Sequence, residues 1–130
     1  MLELWRRIVF SILISNTDDH LRNHGFLYEK NSGWRLSPAY DMNPTPLEIK
    51  PRILTTAINF EDNTASLDTA LSVIDDFRIL KSKAHQIISE VASSVVKWRN
   101  VAQSFFLSKQ EINRMASAFE HEDLEKAKKI

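Results

Sequence analysis

Residues 8–23 read Ile8-Val9-Phe10-Ser11-Ile12-Leu13-Ile14-Ser15-Asn16-Thr17-Asp18-Asp19-His20-Leu21-Arg22-Asn23. The first half is an apolar run that must be buried. The second packs two carboxylates, an imidazole and two carboxamides into eight residues. The polar cluster therefore sits where the chain leaves the core, on a loop rooted in a rigid element, and catalytic groups concentrate on such loops. Upstream, Leu2, Trp5, Val9, Ile12 and Leu13 recur at helical spacing, and Ile8, Phe10 and Ile14 widen the apolar surface around most of the cylinder. The pattern predicts a helix from Leu2 to Ser15 in the middle of the domain.

Downstream, Gly25 is expected to permit a backbone conformation that most residues resist. Phe26-Leu27-Tyr28-Glu29 and Gly33-Trp34-Arg35-Leu36-Ser37 flank Lys30-Asn31-Ser32 as a β-hairpin. The second strand runs into Pro38-Ala39-Tyr40-Asp41, placing Asp41 where the ribbon turns back toward the first loop. Three prolines between Pro44 and Pro51 forbid helix there, and Ile53 to Phe60 reads as a short strand. Everything after Asp62 reads helical. Leu67, Ala70, Leu71 and Ile74 form one stripe, with Ser66 or Thr64 as its cap. A longer helix is expected from about Ser82 to Phe105. Ser108 and Glu111 form a capping box ahead of Ile112, Met115 and Phe119, and Glu122/Lys126 and Glu125/Lys129 are spaced as i,i+4 pairs.

Composition narrows the class. The 130 residues make one domain able to bury a core without staples. Seventeen basic residues balance seventeen acidic ones, so no net field draws the chain to nucleic acid or an acidic membrane. With no cysteine, disulfides, thiolate zinc sites and a cysteine nucleophile are excluded. Two glycines leave no glycine-rich phosphate cradle. The first apolar stretch lacks a signal-peptide cleavage site and is shorter than the ~20 residues a bilayer span needs. The expected location is cytoplasmic.

Phosphoryl transfer asks for a carboxylate to take the acceptor's proton and oxygen ligands to hold magnesium against the phosphates. In protein kinases the base Asp precedes a metal-binding Asn by five residues, and a metal-binding Asp follows a short β-ribbon. Asp18 and Asn23 stand at that separation, and Asp41 follows the predicted hairpin. The longer words Asn16-Thr17-Asp18-Asp19-His20-Leu21-Arg22-Asn23 and Trp34-Arg35-Leu36-Ser37-Pro38-Ala39-Tyr40-Asp41-Met42 resemble the HipA family of serine/threonine kinase toxins, with its Asn-Thr-Asp-x-His-x-x-Asn loop and Leu-x-Pro-x-Tyr-Asp segment.

The resemblance implies a mainly α fold with a small β-ribbon, a protein-kinase-like C-terminal lobe. Its parts would be a catalytic loop over 16–25, a hairpin over 26–37, a metal-Asp segment over 38–42, a Pro-rich loop over 43–52 and a helical bundle over 64–130. It implies Asp18 as the catalytic base and Asn23 and Asp41 as ligands of Mg²⁺ bound with ATP. His20 falls where kinases place a phosphate-contacting lysine, and is expected to contact phosphate or to hold the loop by hydrogen bonds. The implied partners are a HipB-like DNA-binding antitoxin and a protein substrate such as an aminoacyl-tRNA synthetase. HipA kinases also carry an N-terminal lobe with a phosphate loop and an ATP-pairing lysine. None of these fits ahead of Leu2, so the chain is expected to be the back half of a kinase, self-associating through Leu2, Leu4 and Trp5.

Two other classes stay open: a non-catalytic module that binds an antitoxin or other partner, and a metal-dependent hydrolase using Asp18, Asp19, His20 and His24. On the kinase reading, the purified chain alone incorporates no labelled phosphate from ATP into protein. Steady incorporation would refute that expectation.

Overall fold

The computed structural model describes residues 1–130. The chain is mostly helical, with one two-stranded antiparallel sheet. Helix α1 spans Leu2–Leu13 and is the hub. It packs against α2 (Leu67–Ser72), α3 (Lys81–Val95) and α7 (Glu122–Ala127). Trp5, Val9, Ile12 and Leu13 are fully buried, joined in the core by Leu67, Ala70, Ala84, Ile87, Ile88 and Leu124. The Trp5 indole N–H donates to the Ala70 carbonyl at 3.1 Å, tying α1 to α2. Of the three residues expected to seek cover outside the chain, Trp5 is covered within it, Leu4 is half-buried and Leu2 is exposed. Exposed apolar side chains lie at Met1 and Leu2, on the ribbon, and around Phe105, Phe106 and Leu107.

α1 ends in a Schellman motif, not at Ser15 as a helical residue. Ser15 takes the left-handed conformation (φ 54°), its amide donates to the Ile12 carbonyl, and the Asn16 amide donates to the Ser11 carbonyl at 2.8 Å. Strands β1 (Phe26–Glu29) and β2 (Gly33–Leu36) pair Phe26 with Leu36 and Tyr28 with Trp34. Gly33 takes φ 77° at the turn. Gly25 does not adopt a positive φ. It is needed for space, since a Cβ there would meet Ser37 Oγ at 3.0 Å and the Tyr40 hydroxyl at 3.3 Å. Phe26, Tyr28 and Trp34 are mostly exposed; Tyr28 and Trp34 pack on each other across the ribbon at 5.4 Å.

Three further expectations are revised. The segment from Ile53 to Phe60 is no strand: only an Ile53–Thr64 bridge forms. The Asn59 side chain accepts from the Glu61 and Asp62 amides and turns the chain back before a ladder can extend. The long helix divides into α3 and α4 (Trp98–Ser104). Ser93 and Ser94 hydroxyls bond back to carbonyls four residues earlier, which bends helices, and Trp98 then stacks on Phe119 at 4.4 Å. In α7, Lys126 reaches across to Asp68 and Lys128 pairs with Glu125, in place of the two expected i,i+4 pairs. Other expectations hold. Ser66 caps α2, and Ser108 with Glu111 forms the box that opens α5 (Lys109–Arg114), ahead of α6 (Ala116–Phe119).

A buried polar node closes the fold. Arg52, at the end of the Pro-rich loop, pairs with Asp123 at 2.8 Å and donates to the Ile12 carbonyl at 3.0 Å. The other Asp123 oxygen accepts from the Leu67 amide at 2.9 Å, at the start of α2. Removing one partner of a buried pair strands the other, so Asp123→Ala is expected to lower unfolding free energy by about 3–5 kcal/mol. Urea unfolding of this variant, beside Lys128→Ala in an exposed pair where little change is expected, checks the magnitude.

Candidate functional site

The loop after α1 is built from its root outward. Ser15 Oγ donates to the Ala118 carbonyl at 2.8 Å, and the Thr45 amide donates to the Ser15 carbonyl at 3.2 Å. Asn16 is buried, its carboxamide donating to Ser11 Oγ at 3.2 Å. The Thr17 carbonyl accepts from both the amide and the hydroxyl of Thr55, at 3.0 Å each. Three buried residues thus fix the root, and Asp18 is the first to reach solvent.

Asp18 is largely exposed and faces the Lys50 ammonium at 3.5 Å. Asp19 folds inward and pairs with His24 Nε2 at 3.0 Å, bracing the turn at five-residue spacing. The expected loop-holding bond of His20 is absent: its ring makes no hydrogen bond, and its buried Nδ1 has no partner. Bracing falls to His24 because the single 3₁₀ turn Leu21–Asn23 carries position 24 back under Asp19. The sequence showed both histidines but not which one the turn would carry inward.

Asn23 is buried, with one terminal atom of its carboxamide unpaired. It lines a shallow depression with Arg7, Asp19, His24, Ala39, Tyr40 and Met42. Asn23 thus shares this depression with the residues on both sides of Asp41, while Asp41 and Asp18 do not line it. The Tyr40 hydroxyl donates to the Arg22 carbonyl at 2.7 Å, fastening that segment to the turn. Arg7 fastens it from α1, donating to the Ser37 carbonyl at 2.6 Å. Asp41 is exposed, holds φ 56°, and accepts from the Asn43 carboxamide at 2.9 Å. Left-handed backbone at a non-glycine residue costs of order 1 kcal/mol or more and collects at functional sites; Ser15 and Asp41 put two instances around this loop.

Unpaired buried polar atoms cluster here as well. Thr17 Oγ1, His20 Nδ1, Asn23 Nδ2 and His24 Nδ1 all lie within eight consecutive residues, where native interiors satisfy nearly every such group. The hydrolase arrangement does not form. No three His, Asp or Glu side chains gather as a metal-ligating group, and Asp19 and His24 are engaged with each other. No helix is long and apolar enough to cross a membrane.

Comparison with known proteins adds the family. Residues 1–99 match the family described as HipA-like C-terminal domain. The chain belongs to this family. Among curated relatives of the HipA-like chain, a Haemophilus influenzae protein named "Putative kinase" is 51% identical over 39 residues, covering 30% of this chain and 11% of that protein. "Putative kinase Y4dM" of Sinorhizobium fredii is 45% identical over 58 residues, covering 45% of this chain and 14% of its own length. The chain thus matches about a tenth to a seventh of the length of these relatives. No solved structure matches it.

The root of the loop also holds a titrating group. His121 Nε2 meets the Leu13 carbonyl at 3.1 Å. Burial, and secondarily the Arg52 charge, hold its pKa below the ordinary 6.5. The unfolded chain takes up this proton at a higher pH than the folded chain does. Stability from His121 is therefore full above about pH 6.5 and falls as the pH drops below it. Thermal unfolding followed from pH 7.5 to 5.5 is expected to show a falling midpoint, and His121→Gln to flatten that slope.

Proposed function

We propose that this HipA-like chain is the acceptor-activating and metal-binding part of a kinase-like C-terminal lobe in a serine/threonine protein kinase of the toxin–antitoxin type. Asp18 would accept the proton of a serine or threonine hydroxyl as that oxygen bonds to the γ-phosphorus of ATP and ADP departs. Asn23 and Asp41 would hold magnesium. The observation that carries the reading is the buried, half-unpaired carboxamide of Asn23 in one depression with the residues flanking Asp41.

The donor set suits the ion. Magnesium takes oxygen ligands, keeps several waters, and is bound through one or two carboxylates plus substrate phosphates. Asn23 and Asp41 offer a carboxamide and a carboxylate, and a carboxamide turned by 180° presents oxygen where it presented nitrogen. Bound with ATP, magnesium supplies charge neutralisation on the transferring phosphoryl group. The chain's own contribution is placement. Tyr40 and Arg7 hold the Asp41 segment against the turn, and the Thr17–Thr55 bonds aim Asp18 outward. On this reading His20 is a phosphate-facing member of the loop, its partners are a HipB-like antitoxin and a protein substrate such as an aminoacyl-tRNA synthetase, and it works in the cytoplasm.

Manganese, a paramagnetic stand-in for magnesium, gives the direct test. Titrated into labelled protein, it is expected to broaden the Asn23 and Asp41 resonances first. Asn23→Ala and Asp41→Ala should each weaken binding by about tenfold or more. Broadening centred on Glu122, Asp123 and Glu125 of α7, unaffected by either substitution, would count against the site.

A further inference from the structure

We propose that Lys50 belongs to the same site as a phosphate-contacting cation, held ready against Asp18; the inference rests on the reading of the site just given. Bringing a phosphoryl group beside a carboxylate base sets negative charge against negative charge, so a cation near the base has a chemical task. The salt bridge to Lys50 is the one that Asp18 makes. His20, within the loop itself, makes no hydrogen bond and keeps Nδ1 buried.

Lys50 is delivered by construction. Its amide donates to the Pro46 carbonyl at 3.2 Å, closing a turn, and Pro51 follows with fixed φ. On the upstream side the Leu47 amide donates to Ser117 Oγ at 3.1 Å, and Ser117 donates in turn to Glu48 at 2.7 Å. On the downstream side Arg52 is locked by Asp123 and the Ile12 carbonyl. Two anchors within three residues on either side fix the backbone that presents this ammonium. The Lys50–Asp18 contact itself is long, at 3.5 Å, between side chains 40% and 75% exposed. Exposed ion pairs of this kind add little to stability, so the fold does not need it. A loosely held lysine can instead move from the carboxylate to phosphate oxygens, which it binds as a mobile point charge.

The test uses inorganic triphosphate as probe, with and without manganese, on the full chain. Wild-type protein is expected to bind it, with the Lys50 side-chain resonances shifting. Lys50→Gln should lose about tenfold or more in triphosphate affinity, the scale of a charge-assisted hydrogen bond. Lys50→Arg should recover most of it, and Lys30→Gln in the hairpin turn should bind as wild type does. Manganese binding at Asn23 and Asp41 and the thermal midpoint should be unchanged by Lys50→Gln. The proposal is overturned if wild type shows no triphosphate-dependent shift at Lys50, if Lys50→Gln binds as tightly as wild type, or if Lys30→Gln loses as much. Failure of manganese to reach Asn23 and Asp41 would overturn the metal site, while the metal-free titration would still decide Lys50.

Discussion

The C-terminal end of α1 is the constraint on which the rest of the structure depends. A helix end leaves carbonyls without partners, and here the end is buried, so each must be satisfied from within the protein. The Schellman bonds take those of Ser11 and Ile12. Arg52 adds a second donor to Ile12, and His121 approaches Leu13. The same end receives the Ser15 hydroxyl's link to Ala118. Donors from positions 15, 16, 52 and 121 thus converge on three consecutive carbonyl-bearing positions. The polar loop emerges from that knot with its first residues already fixed.

That arrangement explains how an irregular segment can hold functional groups in place. From Ser37 to Ala65 the chain has almost no regular secondary structure, yet hydrogen bonds pin it to the core at Ser37, Thr45, Leu47, Arg52 and Thr55. Prolines stiffen the spans between the pins. Side chains on such a strap, Asp41 and Lys50 among them, are placed by their neighbours' attachments. Residues 100–130 lie beyond the stretch that matches the family. They supply Ser117, Ala118, His121 and Asp123, so the loop's support extends past the recognisable domain.

Much of the fold was legible. The apolar period of α1 and α3, the hairpin, the Ser66 cap and the capping box at Ser108 are local patterns, and the chain obeyed each. The loop motif pointed to the family because two words, eight and nine residues long, carry it. The misreadings have separate causes. The Ile53–Phe60 segment has strand-like residues, but the Asn59 side chain offered its backbone a better local bond. The long helix had unbroken apolar spacing, but Trp98 found a stacking partner off its axis. Gly25 read as a residue of special backbone angle, yet its small size is what Ser37 and Tyr40 require.

By itself, the sequence determined most of the secondary elements, the candidate residues Asp18, Asn23 and Asp41, and the family, since periodicity, capping and short motifs act within a few residues. Only the tertiary structure decided that Asp19 is engaged with His24, that Asn23 lies buried beside the Asp41 segment, and that Lys50 reaches Asp18. The reason is physical: these pairings depend on how the strap of residues 37–65 is pinned to α1 and to the C-terminal helices. Burial and hydrogen bonding across long separations set those pins, and no local pattern encodes them.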